Sequence, residues 1–177
     1  MPGDDVNNRR ALVIGINYVN MPPGAGQLKG CINDALNISQ FLQDSGFSRS
    51  DIRLLTDDNQ NDGLPTHDNL IAGMKWLVEG ASAGDSLFFH YSGHGGQSED
   101  TTGLEEDGLN ETIMPADFQM AGQITDDVMH DLMVRSLPAQ VRLTAIFDSC
   151  HSGTALDLPF VYHSKEDVSA FPLSPLR

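Results

Sequence analysis

The sequence predicts an α/β protein with a mainly parallel central β-sheet flanked by helices, and three observations carry that prediction. The run Ala11 to Ile16 is nearly continuous, apolar and β-branched, as a strand covered on both faces should be. Stretches of helical apolar spacing fall between this run and later strand-like ones, and strands alternating with helices build parallel sheets. Two of the strands break directly into loops bearing glycine with histidine or cysteine, where ligands of such sheets sit.

Taken in order, the first strand follows Arg9 and Arg10 and gives way to a glycine- and proline-rich loop from Pro22 to Gly26. Asn33 to Leu42 places Leu36, Ile38, Phe41 and Leu42 at helical spacing, ending near Gly46. Ile52 to Thr56 reads as a short strand closed by the turn-rich Asp57 to Gly63. Thr66, Asp68 and Asn69 start a second helix with Leu70, Ile71, Met74 and Leu77 on one face. The strongly apolar Ser86 to Tyr91 is a strand that breaks into Gly93-His94-Gly95-Gly96. Gln97 to Glu111 is acidic, polar and glycine-punctuated, which predicts a loop. Ile113 to Pro115 is a weak strand, and Asp126 to Leu132 a short helix capped by Thr125 or Asp126. Val141 to Phe147, the last clear strand, delivers Asp148-Ser149-Cys150-His151-Ser152-Gly153. The length suggests one domain after a flexible segment 1–8, and the tail from Lys165 to Arg177, with no apolar period, reads as a linker or a processed end.

The 177 residues carry 25 acidic and 10 basic side chains, a formal net charge of −15. Nucleic acid and anionic membrane would be repelled, whereas basic peptide segments and divalent cations would be attracted. No window approaches the ~18 apolar residues of a membrane span, and Met1 to Asp5 lacks the features of a secretory signal. With only Cys31 and Cys150 there is no disulfide framework. A cytoplasmic location is expected, with the nucleus as a second one.

Alone, a cysteine after a strand is most often a buried filler, and a histidine in a turn most often structural. Both falling at carboxyl ends of predicted strands reverses that balance. A thiolate is a strong nucleophile, and an imidazole beside it can help form it and later protonate a leaving amine. Gly93 and Gly95 leave room for a sharp turn around His94.

At this point the residues resemble a known family. Tyr91-Ser92-Gly93-His94-Gly95-Gly96-Gln97 and Asp148-Ser149-Cys150-His151-Ser152-Gly153 are similar to the two catalytic motifs of metacaspases. The likeness extends to Ala11–Tyr18, Leu28–Asp34, Val141–Ala145 and Leu156–Phe160, and so spans about residues 9 to 162. It looks most like the large catalytic subunit of a type I metacaspase of the fungal or protist kind.

That resemblance implies a caspase-hemoglobinase-like fold and a calcium-dependent cysteine endopeptidase cleaving after Arg or Lys. Cys150 would be the nucleophile, His94 the acid/base partner, and the Gly95 amide an oxyanion donor beside that of Cys150. His151 is set aside as base, because adjacent side chains diverge. The pocket for a basic side chain would use Asp34 and Asp148, lined by Ser92 and Cys31; the plainer readings are a helix-start acid for Asp34 and a strand end for Asp148. Asp126, Asp127 and Asp157 match positions that bind Ca2+ in the family, with Asn110 standing where a fourth aspartate is usual; Asp126 and Asp127 could instead simply cap a helix. The resemblance further implies a small (p10-like) subunit of the same precursor as partner, self-processing near Lys165 or Arg177, and a monomeric active unit.

Other classes fit less well. A non-proteolytic calcium-binding scaffold or proteostasis partner on the same fold has no need of both the cysteine and the histidine motifs. A cysteine phosphatase would want an arginine after Cys150, and a zinc site a second ligand pair.

Overall fold

The computed structural model describes residues 7–58, 60–100, 108–150, 155, 156 and 158. Along the chain the elements are β1 (Arg9–Gly15), α1 (Cys31–Asp44), β2 (Ile52–Thr56), α2 (His67–Val78) and β3 (Ser86–Ser92). They continue with β4 (Gly95–Glu99), β5 (Leu109–Ile113), α3 (Phe118–Ala121), β6 (Ile124–Thr125), α4 (Asp126–Met133) and β7 (Arg142–Asp148). Four strands form one parallel sheet in the order β2-β1-β3-β7, the architecture expected from the alternation of strands and helices.

β1 is covered on both faces, which is why its sequence does not alternate. On one face Leu12, Ile14, Phe89 and Tyr91 pack with Leu70, Met74 and Leu77 of α2 and with Met129 and Met133 of α4. On the other, Ala11, Val13 and Leu54 meet Ala35 and Leu42 of α1. Gly15 lets α1 come close: a methyl group there would overlap the Cys31 carbonyl and lie 2.7 Å from the Ala35 methyl. The predicted caps are present, the Thr66 hydroxyl accepting from Asn69 N and that of Thr125 from Val128 N.

Within the described parts of Gln97 to Glu111, residues 97–99 and 109–111 are strand rather than loop. Gly95–Glu99 and Leu109–Ile113 pair antiparallel, and with β6 they make a second sheet in the order β4-β5-β6. The polar sequence hid them because β4 has no buried residue, and strand preference at such positions reflects packing context more than composition. In the parallel sheet the register pairs Gly15 with Ser92 and Ser92 with Asp148. The carboxyl ends of β1, β3 and β7 are therefore level. On β7, Phe147 packs into the larger core, while Thr144, Ile146 and Asp148 on the other face are exposed. Asp157 and the segment 163–177 lie outside the described residues, within which no helix is long and apolar enough to cross a membrane.

Candidate active site

The level strand ends bring the two reactive motifs to one rim. β3 stops at Ser92, the chain turns at Gly93, and His94 stands between β3 and β4. β7, the neighbour of β3, ends at Asp148 and leads through Ser149 to an exposed Cys150. The two loops touch: a Cβ on Gly95 would overlap the Cys150 carbonyl and come 3.2 Å from Ser149 Oγ. Only a residue without a side chain lets the His94 loop approach the Cys150 backbone this closely.

The His94 ring is held on two sides, and its backbone from behind. Its Nε2 lies 2.6 Å from the Gly26 carbonyl oxygen, and a carbonyl only accepts, so Nε2 carries the proton there. Nδ1 is then the basic nitrogen of the neutral ring. The Tyr18 ring packs against the imidazole with centroids 4.6 Å apart. Behind it, the His94 N–H donates to the Tyr18 hydroxyl at 2.9 Å, and the Tyr91 hydroxyl donates to the His94 carbonyl at 2.7 Å.

Beside this pair lies an acidic recess. The Ser92 hydroxyl donates to Asp34 Oδ2 at 3.4 Å. The Cys31 thiol, hydrogen-bonded to Ser92, is pushed up by burial and further by the charges of Asp34 and Asp148. One pleat below Ser92, His90 is buried with no partner for its Nδ1. Burial pushes its pKa down, against the opposing pull of Asp148 and Asp34. Cys31, Ser92, Asp34 and Asp148, four residues widely spaced in sequence, thus share one environment on the α1 face of the sheet. Asp148 is exposed, because nothing among the described residues covers that side of β7.

A separate set of oxygens gathers where β5 meets the start of α4. Asp126 is fully buried and accepts from the backbone N–H of Glu111 (2.7 Å) and of Asp127 (2.9 Å). Burial raises its pKa, and the charges of Asp127 and Glu111 add to the rise. Asn110 Nδ2 donates to Asp127 Oδ2 at 3.4 Å, whereas Asn110 Oδ1 and Glu111 Oε2 are buried with no partner. Among the described residues no three His, Cys, Asp or Glu converge as a ready metal site. The donors are nonetheless all oxygen, with two buried oxygens orphaned, and so fit a hard cation such as Ca2+ rather than zinc.

A family model described as "Metacaspase, peptidase C14 domain" matches residues 9–159. The chain belongs to the metacaspase family. It is 57% identical over 161 residues to Metacaspase-1 of Mycosarcoma maydis, covering 90% of this chain and 39% of that protein. Against Metacaspase-1A of Aspergillus fumigatus it is 58% identical over 159 residues, covering 89% and 38%. Against Metacaspase-1 of Pyricularia oryzae it is 60% identical over 156 residues, covering 87% and 39%. The chain thus spans about two fifths of the length of these curated metacaspases, as expected of the catalytic region of a type I member. A crystal structure of a Geobacter sulfurreducens protein matches with TM-score 0.64 and 30% identity, covering 85% of this chain and 53% of that one. The fold is the caspase-like α/β fold that the motifs implied.

Within this metacaspase rim, sequence reasoning missed Gly26, Tyr18, Tyr91 and His90. Gly26 acts through its carbonyl, which every residue type possesses, so only its place in a glycine-rich loop marked it. The two tyrosines lay inside the matched motifs, Tyr91 at the end of an expected strand and Tyr18 just past one.

Proposed function

We propose that this protein is a cysteine endopeptidase that cleaves after Arg or Lys and depends on calcium. The observation that carries the reading is the Nε2 contact of His94 with the Gly26 carbonyl, at a loop pressed against the backbone of Cys150. With Nε2–H engaged, His94 Nδ1 takes the thiol proton and Cys150 Sγ attacks the scissile carbonyl carbon. The oxygen that becomes negative is met by the backbone N–H groups of Gly95 and Cys150. The proton on Nδ1 passes to the departing amine, leaving a thioester. His94 then draws a proton from water, which attacks the thioester and frees Cys150.

Specificity is assigned to the recess beside the nucleophile. A buried guanidinium or ammonium requires carboxylates, and Asp34 and Asp148, both acting on Cys31 and His90, supply two. Asn110, Asp126 and Asp127, with Asp157, would hold calcium, which contributes positive charge that lets clustered carboxylates stay ordered. A small subunit from the same precursor would cover the exposed face of β7, and self-cleavage near Lys165 or Arg177 would separate the two.

The test is a positional-scanning peptide assay of the full-length protein, with calcium and with chelator. Cleavage after Arg or Lys is expected, abolished in Cys150→Ala and by chelator. Asp34→Asn combined with Asp148→Asn should raise KM for arginyl peptides at least tenfold. Cleavage that survives Cys150→Ala, or a preference for acidic residues, refutes the reading.

A further inference from the structure

β4 is the outer strand of the antiparallel sheet, and its first peptide is held in an unusual way. The ladder begins with Gly95 opposite Ile113, and one step before it His94 faces Met114. Met114 N donates to the His94 carbonyl at 3.2 Å, as in a hydrogen-bonded antiparallel pair. The reciprocal bond of such a pair, from His94 N to the Met114 carbonyl, is replaced by a hydroxyl. Tyr18 Oη accepts from His94 N at 2.9 Å and donates to Met114 O at 2.7 Å. Tyr91 Oη donates to His94 O at 2.7 Å and accepts from Met114 N at 3.2 Å. Each phenol has one proton, and these assignments use both. Both tyrosines are buried; burial pushes Tyr18 up to about 12 and holds Tyr91 well above its ordinary value, so neither hydroxyl gives up its proton near neutrality.

The consequence falls on the next amide. In an antiparallel strand, successive residues direct their N–H groups to opposite edges. With the His94 carbonyl anchored toward β5, the planar peptide sends the Gly95 N–H the other way. The Cys150 backbone adjoins the same residue, since a Cβ on Gly95 would overlap the Cys150 carbonyl. Gly93 makes room for the arrangement, since a Cβ there would sit 2.7 Å from Tyr91 Oη and 3.2 Å from Tyr18 Oη.

We propose that Tyr91, assisted by Tyr18, is the positioning residue of the oxyanion hole: the two buried hydroxyls clamp the His94–Gly95 peptide so that its N–H is already aimed at the substrate oxygen. This rests on the peptidase reading of Cys150 and Gly95. Neither tyrosine touches substrate, so the clamp acts where negative charge develops and leaves thiolate formation alone.

The experiment compares the full-length protein with Tyr91→Phe and Tyr18→Phe, each first checked for a cooperative melt. Three quantities are read: kcat and KM on a reporter peptide, affinity for the aldehyde of the same peptide, and the pH dependence of Cys150 alkylation by iodoacetamide. The aldehyde adds to Cys150 and forms an oxyanion, whereas alkylation forms none. Removing one oxyanion donor outright costs ~100–1000-fold in kcat, so misaiming it in Tyr91→Phe should cost about 10–100-fold. KM should stay within about twofold, aldehyde affinity should fall in step with kcat, and the alkylation profile should not move. Tyr18→Phe should show the same pattern more weakly, and decides the matter if Tyr91→Phe does not fold. Unchanged kcat in the folded variants overturns the clamp, as does an alkylation rate that falls in step with kcat. Cleavage retained in Cys150→Ala would overturn the peptidase reading beneath it.

Discussion

Gly15→Ala should loosen the acidic recess without touching the Cys150–His94 pair. The added methyl would overlap the Cys31 carbonyl and stand 2.7 Å from the Ala35 methyl. Carbon atoms pack at ~3.5–4.0 Å, so α1 must withdraw by about 1 Å. Overpacking of this kind costs ~1–3 kcal/mol, and for a chain of this size each kcal/mol lowers Tm by ~2–4 °C. A melt should therefore fall by roughly 2–12 °C. α1 carries Cys31 and Asp34, whereas His94 and Cys150 follow β3 and β7, so KM for an arginyl peptide should rise more than kcat falls. Gly73→Ala is the comparator. Its methyl would meet the flexible tip of Leu12 at 2.9 Å, on the α2 side of the sheet, lowering Tm modestly and leaving KM alone. The reasoning is refuted if Gly15→Ala melts like the parent, or if its kcat falls while KM stays constant.

Three further outcomes follow from the same structure. Gly95→Ala should reduce kcat by at least about 100-fold, the scale of a lost oxyanion donor, because its Cβ overlaps backbone that cannot rotate away; near-normal turnover would count against the contact. Asp85 accepts from Asn8 N (2.8 Å), Ser82 N (2.9 Å) and the Ser82 hydroxyl, and the Ser82 amide leads in holding its pKa below the ordinary value. A depressed carboxyl stabilises the fold above the usual range near pH 4 and loses that contribution as pH falls through the folded value; Asp85→Asn should cost ~1.5–3 kcal/mol at pH 7 and flatten the acid limb of a stability titration. His90 is depressed by burial, so the unfolded chain binds its proton first and stability should decline as pH drops below about 6.5; His90→Gln should make melts between pH 5 and 7 less dependent on pH.

What the sequence revealed depended on which face of each element carried the signal. β1 and β3 were legible because strands buried on both sides must be apolar throughout. α2 and α4 announced their starts through Thr66 and Thr125, whose hydroxyls cap as their positions implied. β4 and β5 were missed because Gly95-Gly96-Gln97-Ser98-Glu99 meets its partner through backbone groups, leaving mostly polar side chains to be read. Within the site, side-chain chemistry and motif context pointed to Cys150, His94, Asp34, Asp148 and Ser92, which the structure brings to one end of the parallel sheet. They did not point to Gly26 and the tyrosine clamp, since a carbonyl at a turn and a hydroxyl standing in for a ladder bond leave no residue-type signature. Of the residues expected to hold calcium, Asn110, Asp126 and Asp127 lie together, and Asp157 lies outside the described residues.

The parallel sheet also sets a timetable. Its neighbours β1 and β3, β3 and β7, are far apart along the chain, and 56 residues separate His94 from Cys150. At ~5–20 residues per second of synthesis, a ribosome needs roughly 3–11 s after adding the histidine to add the cysteine. Throughout that interval the growing polypeptide contains His94, Gly26 and the tyrosine pair but not Cys150. Among the described residues β7 is the last strand of this sheet in chain order, so the thiol that the proposed reaction requires is added only after β1, β2 and β3 have been synthesised.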